Sequence, residues 1–256
     1  MENLKFYKHD FFLTAGECTP QKEMPLPLLV SRLIEVATEH ANIWGVGYAK
    51  LVEDNQAWVL SRVTVEMQDY PHVNEPYTIQ TWVEGYNRYF SQRNFEILNS
   101  KGETLGYART IWLVIDSIAR EMVDISKLSY VISNVYDKKC PIEPQSRLRA
   151  VDNARKSVNT FRYTDTDINR HVNSVRYVEL LLNQWQMEHY ELNRVKRFEI
   201  AYMKECLGGV PYCVAVNEDI PDDVKLEILH EIDGKPEINC RARIVFEKRE
   251  LLKIRY

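Results

Sequence analysis

The chain has 256 residues, of which 45% are hydrophobic and 27% are charged, and its formal net charge is −4. This is the composition of a globular protein with a sizeable core, and the length suits one large domain or two small ones. No stretch approaches the ~18 consecutive apolar residues of a membrane span, and the N-terminus lacks the pattern of a signal peptide. The small negative charge gives no general reason to expect nucleic-acid binding. We therefore expect a soluble cytoplasmic protein.

The cysteines argue against a disulfide framework and against a zinc site. They are odd in number, widely scattered and without CxxC spacing, so reduced thiols are expected. The five residues are Cys18, Cys140, Cys206, Cys213 and Cys240.

The first half reads as one helix followed by antiparallel strands. After a strand candidate at 6–13, the segment LPLLVSRLIEVATEHANIWG places an apolar stripe on one helical face, and Gly45 ends the helix. The stripe consists of Leu29, Leu33, Val36, Ala37, His40 and Trp44. β-Branched and aromatic residues then predict strands at 57–67, 77–86, 89–98 and 104–116.

The same order of elements returns after a polar, proline-bearing segment, residues 136–156, which we interpret as a linker between 1–135 and 157–256. A strand near 158–163 and a helix after Asn173 come first. Strand candidates follow at 196–204, 211–216, 224–232 and 237–248. The repeated order predicts an α+β tandem in which each helix packs across its own curved antiparallel sheet.

One stretch, residues 162–185, carries the chemistry. Asp165, Asp167, Asn169 and His171 recur at every second position, so an extended backbone would point their side chains the same way. Asn173 then suits a helix N-cap. The helix that follows shows an apolar stripe formed by Val175, Val178, Leu181, Leu182 and Trp185. A carboxylate, an amide and an imidazole thus meet a helix start, where free N–H groups can stabilise an oxyanion, as acyl transfer requires.

These residues resemble a known family, the acyl-acyl-carrier-protein thioesterases, in its bacterial members related to the plant plastid enzymes. RYTDTDINRHVNSVRYVE at 162–179 is similar to the family's signature, and YMKEC at 202–206 is similar to a second one. In the first half, Trp82, Arg88, Arg93 and the segment GYARTIWLVID are also similar to the family. Ser174 departs from it, because the family usually has a second Asn there.

The resemblance implies two tandem hotdog domains, with an acyl-chain pocket in 1–135 and the catalytic residues in 157–256. It implies hydrolysis of a fatty-acyl thioester on acyl carrier protein, without a cofactor or metal. By motif, the family's catalytic residues fall on Asp167, Asn169, His171 and Glu205, with Cys206 as an alternative nucleophile. The sequence leaves the oligomeric state open, a homodimer included.

Each feature also has a plainer interpretation. The D-x-N-x-H stretch could only cap the next helix, and a calcium loop is excluded because Arg170 stands where that loop needs glycine. Glu205, expected on a strand with Phe198, Ile200 and Tyr202, needs a partner or a function there. Cys206 suits a small buried hydrophobe better than a nucleophile. The other histidines are interpreted as structural or surface residues: His9, His40, His72, His189 and His230.

Two other functions stay open at this point. A hotdog dehydratase acting on hydroxyacyl thioesters would also use a histidine and a carboxylate, and a non-catalytic acyl-thioester-binding module would need neither. For an acidic carrier protein, the basic residues Arg194, Lys196 and Lys204 form a candidate docking patch.

Overall fold

The computed structural model describes residues 5–127, 134–152 and 154–249. The chain forms two compact units that meet between Gln145 and Ser146, inside the segment that the sequence predicts as a linker. None of the helices in the described residues combines the length and apolar character that a membrane crossing requires.

The first unit is a helix packed on one face of a five-stranded antiparallel sheet. The strands have the order β1-β3-β4-β5-β2. Their bounds are β1 Phe6–Phe12, β2 Gln56–Met67, β3 Pro76–Tyr86, β4 Phe90–Asn99 and β5 Thr104–Asp116. Helix α1 spans Leu26–Ile43, and the short α2 spans Tyr48–Glu53.

Helix α1 follows its predicted stripe. Leu29, Leu33 and Val36 are each at most 1% exposed, and the helix stops where Gly45 adopts a φ of 73°, which glycine accepts without strain. On the sheet, the helix contacts β3 and β1, and Ile79 of β3 is completely buried.

The opposite face of this sheet is covered by a segment that we call the strap, residues 136–142. The indole of Trp82 donates to Lys138 O at 2.6 Å, and the Lys138 ammonium pairs with Glu96 at 2.6 Å. Arg109 donates to the carbonyls of Cys140 and Ile142, both at 2.9 Å. The early part of the predicted linker is therefore bound to the first unit.

The second unit repeats the arrangement. Its strands are β6 Arg155–Thr160, β7 Asn193–Tyr202, β8 Pro211–Asn217, β9 Asp223–Ile232 and β10 Lys235–Lys248. They have the order β7-β10-β9-β8-β6. Helix α3 spans Ser174–Leu182, and the short α4 spans Met187–Leu192. Each unit thus has the predicted helix on an antiparallel sheet.

Helix α3 is shorter than its apolar stripe predicted. Asn183 is the C-cap, and Trp185 lies beyond the helix with its ring edge-on to Phe246 at 5.1 Å. The Trp185 indole also donates to Glu218 at 2.7 Å. The prediction that Trp185 belongs to the helix is wrong, because packing against β10 and this hydrogen bond hold it elsewhere.

The outer face of the second sheet carries ion pairs between neighbouring strands. Glu199 of β7 is completely buried and is contacted by Arg197 at 2.7 Å and Arg243 at 3.5 Å. The Ser146 backbone N–H and hydroxyl also donate to the Glu199 carboxylate. Two cationic groups and a hydroxyl therefore compensate this buried carboxylate.

Candidate active site

Two loops of the second unit lie against each other at one end of its sheet: residues 161–173, before α3, and residues 203–210, after β7. The Gly209 N–H donates a hydrogen bond to Phe161 O at 2.8 Å, and the Val172 N–H donates to Cys206 O at 2.8 Å. Gly208 is so close to Thr166 that an added Cβ atom would lie 2.8 Å from Thr166 Cγ2. The loops are therefore in tight contact.

This contact brings His171 beside Glu205, two residues that are 34 positions apart in the sequence. His171 forms an isolated antiparallel bridge with Leu207. The His171 Nε2 atom lies 3.5 Å from the Glu205 carboxylate, and the two side chains are 28% and 39% exposed. An imidazole oriented by a carboxylate and open to solvent is equipped to take a proton from water.

The backbone from Asp165 to His171 is a turn. The Asp167 carboxylate accepts from Asn169 N–H at 2.8 Å and from His171 N–H at 3.2 Å, and Arg170 has a φ of 65°. The prediction that alternate side chains share one direction on an extended backbone is wrong, because these side-chain bonds close the turn. Asp167 thereby holds the backbone that presents His171, while the Asn169 side chain is exposed.

Helix α3 begins where the sequence predicts. The Asn173 side chain accepts from Val175 N–H at 2.9 Å, as an N-cap does. Ser174 is the first helical residue, and its carbonyl accepts from the Tyr202 hydroxyl at 3.0 Å. Only Val172 and Asn173 thus separate His171 from the first residue of the helix.

Glu205 and Cys206 lie beyond the strand on which we expected Glu205. β7 ends at Tyr202, and the Glu205 prediction is corrected to the loop that follows. The Cys206 residue is 3% exposed, and burial raises the pKa of its thiol. A buried thiol with a raised pKa ionises poorly, which disfavours it as a nucleophile.

The described residues contain no group of three or more His, Cys, Asp or Glu side chains arranged to hold a metal ion.

Comparisons with known proteins place the chain in a family. The profile of the acyl-ACP thioesterase N-terminal domain matches residues 4–130, and that of the acyl-ACP thioesterase C-terminal domain matches residues 149–248. The chain belongs to the acyl-ACP thioesterase family. The family that the two motifs predicted is thereby confirmed.

Relatives within the acyl-ACP thioesterase family cover nearly all of this chain. The crystal structure of an acyl-ACP thioesterase from Bacteroides thetaiotaomicron is 33% identical, has a TM-score of 0.89, and covers 96% of this chain and 100% of its own. The 12:0-ACP thioesterase from Umbellularia californica is 17% identical with a TM-score of 0.84, covers 95% of this chain and 98% of its own, and supports the fold alone. These likenesses confirm the predicted tandem of two hotdog units.

A curated plant relative is longer than this chain. The chloroplastic palmitoyl-acyl carrier protein thioesterase of Arabidopsis thaliana is 23% identical over 91% of this chain. This chain spans 62% of that relative's length.

The structure does not bring together the three basic residues that the sequence predicts as a docking patch for acyl carrier protein. These residues are Arg194, Lys196 and Lys204. Arg194 and Lys196 lie at the start of β7 and both pair with Glu247, at 2.7 Å and 3.4 Å. Lys204 follows the other end of that strand. The eight residue-to-residue steps from Arg194 to Tyr202 span about 26 Å when extended, so the length of the strand separates the two groups.

One residue near the site was not singled out from the sequence. Tyr177 of α3 is 4% exposed, and its hydroxyl has no hydrogen-bond partner among the described residues. Burial raises the pKa of Tyr177, and nearby Cys240, Cys206 and Glu205 add to the rise. The available signal was helical spacing, because Tyr177 lies four residues before the buried Leu181.

Proposed function

We propose that this protein hydrolyses fatty acyl-acyl carrier protein, releasing free fatty acid and carrier protein in fatty acid biosynthesis. The observation that carries the proposal is the His171–Glu205 pair, 3.5 Å apart and open to solvent, in a member of the acyl-ACP thioesterase family. The substrate follows from the family, and the chemistry from the pair.

In the proposed mechanism, water is the nucleophile. His171, oriented by Glu205, takes a proton as the water oxygen attacks the thioester carbonyl carbon. The tetrahedral intermediate collapses, the C–S bond breaks, and the thiol leaves with the proton returned from His171. No cofactor takes part in this mechanism.

The remaining residues position the reactants. Asp167 holds the turn that carries His171, and the exposed Asn169 amide is available to orient water or substrate. At the start of α3, the backbone N–H groups of Val175 and Arg176 are already engaged, because they donate to the Asn173 side chain and to the Asn173 carbonyl. The Ser174 N–H is then the helix-terminal donor available to the oxyanion.

The direct test is incubation with a panel of acyl-carrier proteins of different chain length, with free fatty acid and free thiol measured together. Equal release of both supports the proposal. Loss of water from a hydroxyacyl substrate without thiol release would establish a dehydratase, and binding without turnover would establish a binding module.

Cys206→Ala is expected to keep at least about half of the wild-type kcat, because a buried thiol acts only in packing. Steady-state hydrolysis and thermal unfolding should be measured on the same preparation. An acyl group found by mass spectrometry on the Cys206 sulfur during turnover would contradict the water mechanism.

We further propose that the first unit holds the acyl chain, because its helix and sheet lack a D-x-N-x-H motif but enclose an apolar interior. Trp44, at the end of α1, lies on the helix side of the sheet, with the guanidinium of the buried Arg93 5.2 Å from its ring. Trp82 lies on the opposite face under the strap. The two tryptophans therefore form a matched pair for testing the pocket.

Trp44→Ala is expected to shift the preferred acyl length by about two or more carbons, because removing a side chain from a pocket changes which chains fit it. Trp82→Phe should leave the preference unchanged while lowering the unfolding temperature. Relative kcat/KM values across the chain-length panel provide the measurement. An even loss over all lengths in the folded Trp44 variant would place the pocket elsewhere.

The cytoplasmic location stays a prediction from the sequence.

A further inference from the structure

Large apolar side chains lie exposed on both loops that form the candidate site. Tyr163 and Ile168 of the first loop are 90% and 83% exposed, and Met203 and Leu207 of the second are 50% and 53% exposed. We call these four residues, with the basic residues Arg162, Arg170 and Lys204 of the same loops, the loop face. Grouped apolar exposure on a protein surface is typical of a docking site.

The residues of the loop face lie on the same two loops that carry the proposed catalytic pair. Ile168 lies within the turn that is closed by the hydrogen bond from the His171 N–H to the Asp167 carboxylate. Leu207, on the other loop, pairs with His171 through the isolated backbone bridge. Met203 stands two positions before Glu205 and is held by a backbone bond of 2.8 Å to Asn239. A partner seated on these side chains would therefore deliver its reactive group next to His171.

The loop face carries three basic side chains, and three carboxylates belong to the same loops. Arg162, Arg170 and Lys204 are exposed and form no ion pair with any residue that the structure describes. The acidic side chains of the same loops are engaged within them: Asp165 accepts from Arg162 N–H at 2.6 Å, Asp167 holds its turn, and Glu205 lies against His171. The carboxylates are thus held by groups of their own loops, whereas the three cationic groups are exposed to an acidic partner.

We propose that the loop face is the surface on which acyl carrier protein docks. This inference rests on the proposed function. Carrier protein is acidic, and it must bring a thioester at the end of a short arm to His171. Exposed apolar side chains and exposed basic side chains on the same two loops complement such a partner in both polarity and charge. Of the docking residues predicted from the sequence, this surface retains Lys204 and replaces Arg194 and Lys196.

Two independent variants test the surface. The charge variant combines Arg162→Glu with Arg170→Glu, and the apolar variant combines Ile168→Ser with Leu207→Ser. The control combines Lys225→Glu with Ile220→Ser, both exposed near the far end of the same sheet. Since all six positions are exposed, circular dichroism should show every protein folded.

The charge variant is expected to lower kcat/KM for acyl-carrier protein about tenfold, with a penalty that shrinks as salt screens the charges. The apolar variant should lower it by a similar factor that salt does not relieve. Hydrolysis of the same acyl group on N-acetylcysteamine, which has no carrier protein, should change by less than about twofold in both. The control should match wild type on both substrates.

Binding of fluorescently labelled holo-carrier protein, followed by anisotropy, provides a readout that needs no turnover. Its Kd should rise about tenfold in both loop-face variants and stay constant in the control. Equal losses on both substrates, an unchanged Kd, or the same loss in the control would overturn the proposed surface. If wild-type protein binds the carrier but hydrolyses no acyl thioester, the proposed function fails while the surface stands.

Discussion

Replacing His171 or Glu205 with alanine is expected to lower kcat for acyl thioester hydrolysis by about 100-fold or more, because each removes part of the proton transfer to the attacking water. Neither change should unfold the protein, since both side chains are partly exposed. The double variant should lose little more than either single one, because the two residues act as a unit. Initial rates with an acyl-carrier protein substrate provide the measurement.

The first unit supplies a matched control for this pair. His9 Nδ1 lies 2.7 Å from the Glu39 carboxylate, and those side chains are 32% and 34% exposed. His9→Ala therefore removes an imidazole of similar exposure, also paired with a glutamate, from the first unit, and this variant should keep near-normal turnover. Near-normal turnover in folded His171→Ala or Glu205→Ala would disprove the proposed roles.

Glu199→Ala is expected to lower the free energy of unfolding by about 3–5 kcal/mol, the typical cost of removing one partner of a buried ion pair. The change leaves Arg197 and Arg243 without the carboxylate that they share. Urea unfolding followed by fluorescence measures the effect. Glu231→Ala, exposed at the end of β9, is the control and should change stability by less than about 0.5 kcal/mol.

The same carboxylate predicts a pH dependence. Burial acts to raise the pKa of Glu199, but hydrogen bonds from Ser146 and Arg197 outweigh it and leave the pKa below the ordinary glutamate value. A lowered folded-state pKa stabilises the protein above the unfolded pKa, and this contribution is lost as pH falls through the folded value. Wild type should therefore lose more stability than Glu199→Gln on acidification, and parallel losses would contradict this account.

The strands and helix α1 could be predicted from the sequence because their signals are local. Alternation, apolar spacing and turn residues placed β5 at its observed bounds and the β9–β10 turn at Asp233 and Gly234, which both adopt positive φ. The end of α3 was missed because Trp185 is held by residues of β10 and the loop after β8, contacts that are distant in sequence.

In the candidate site too, the sequence predicted the features with local signals and missed those that depend on contacts between distant segments. The motif resemblance named His171 and Glu205, but the bond between Val172 and Cys206 that brings them together is a contact between distant segments. The turn at Asp167 was mistaken for an extended segment because a carboxylate that bonds its own backbone overrides alternation. The basic residues near β7 were grouped by nearness in sequence, whereas the length of the strand separates them.

The strap has a consequence for recombining halves of related enzymes. The strap covers one face of the first sheet, where Trp82 is completely buried. Its backbone carbonyls accept hydrogen bonds from the side chains of Trp82 and Arg109 on that face. A crossover placed after residue 135 would give that face a foreign cover, with mismatched partners for Trp82, Glu96 and Arg109. Hybrids that exchange whole halves should therefore join between Gln145 and Ser146, so that each parental first sheet keeps its own strap.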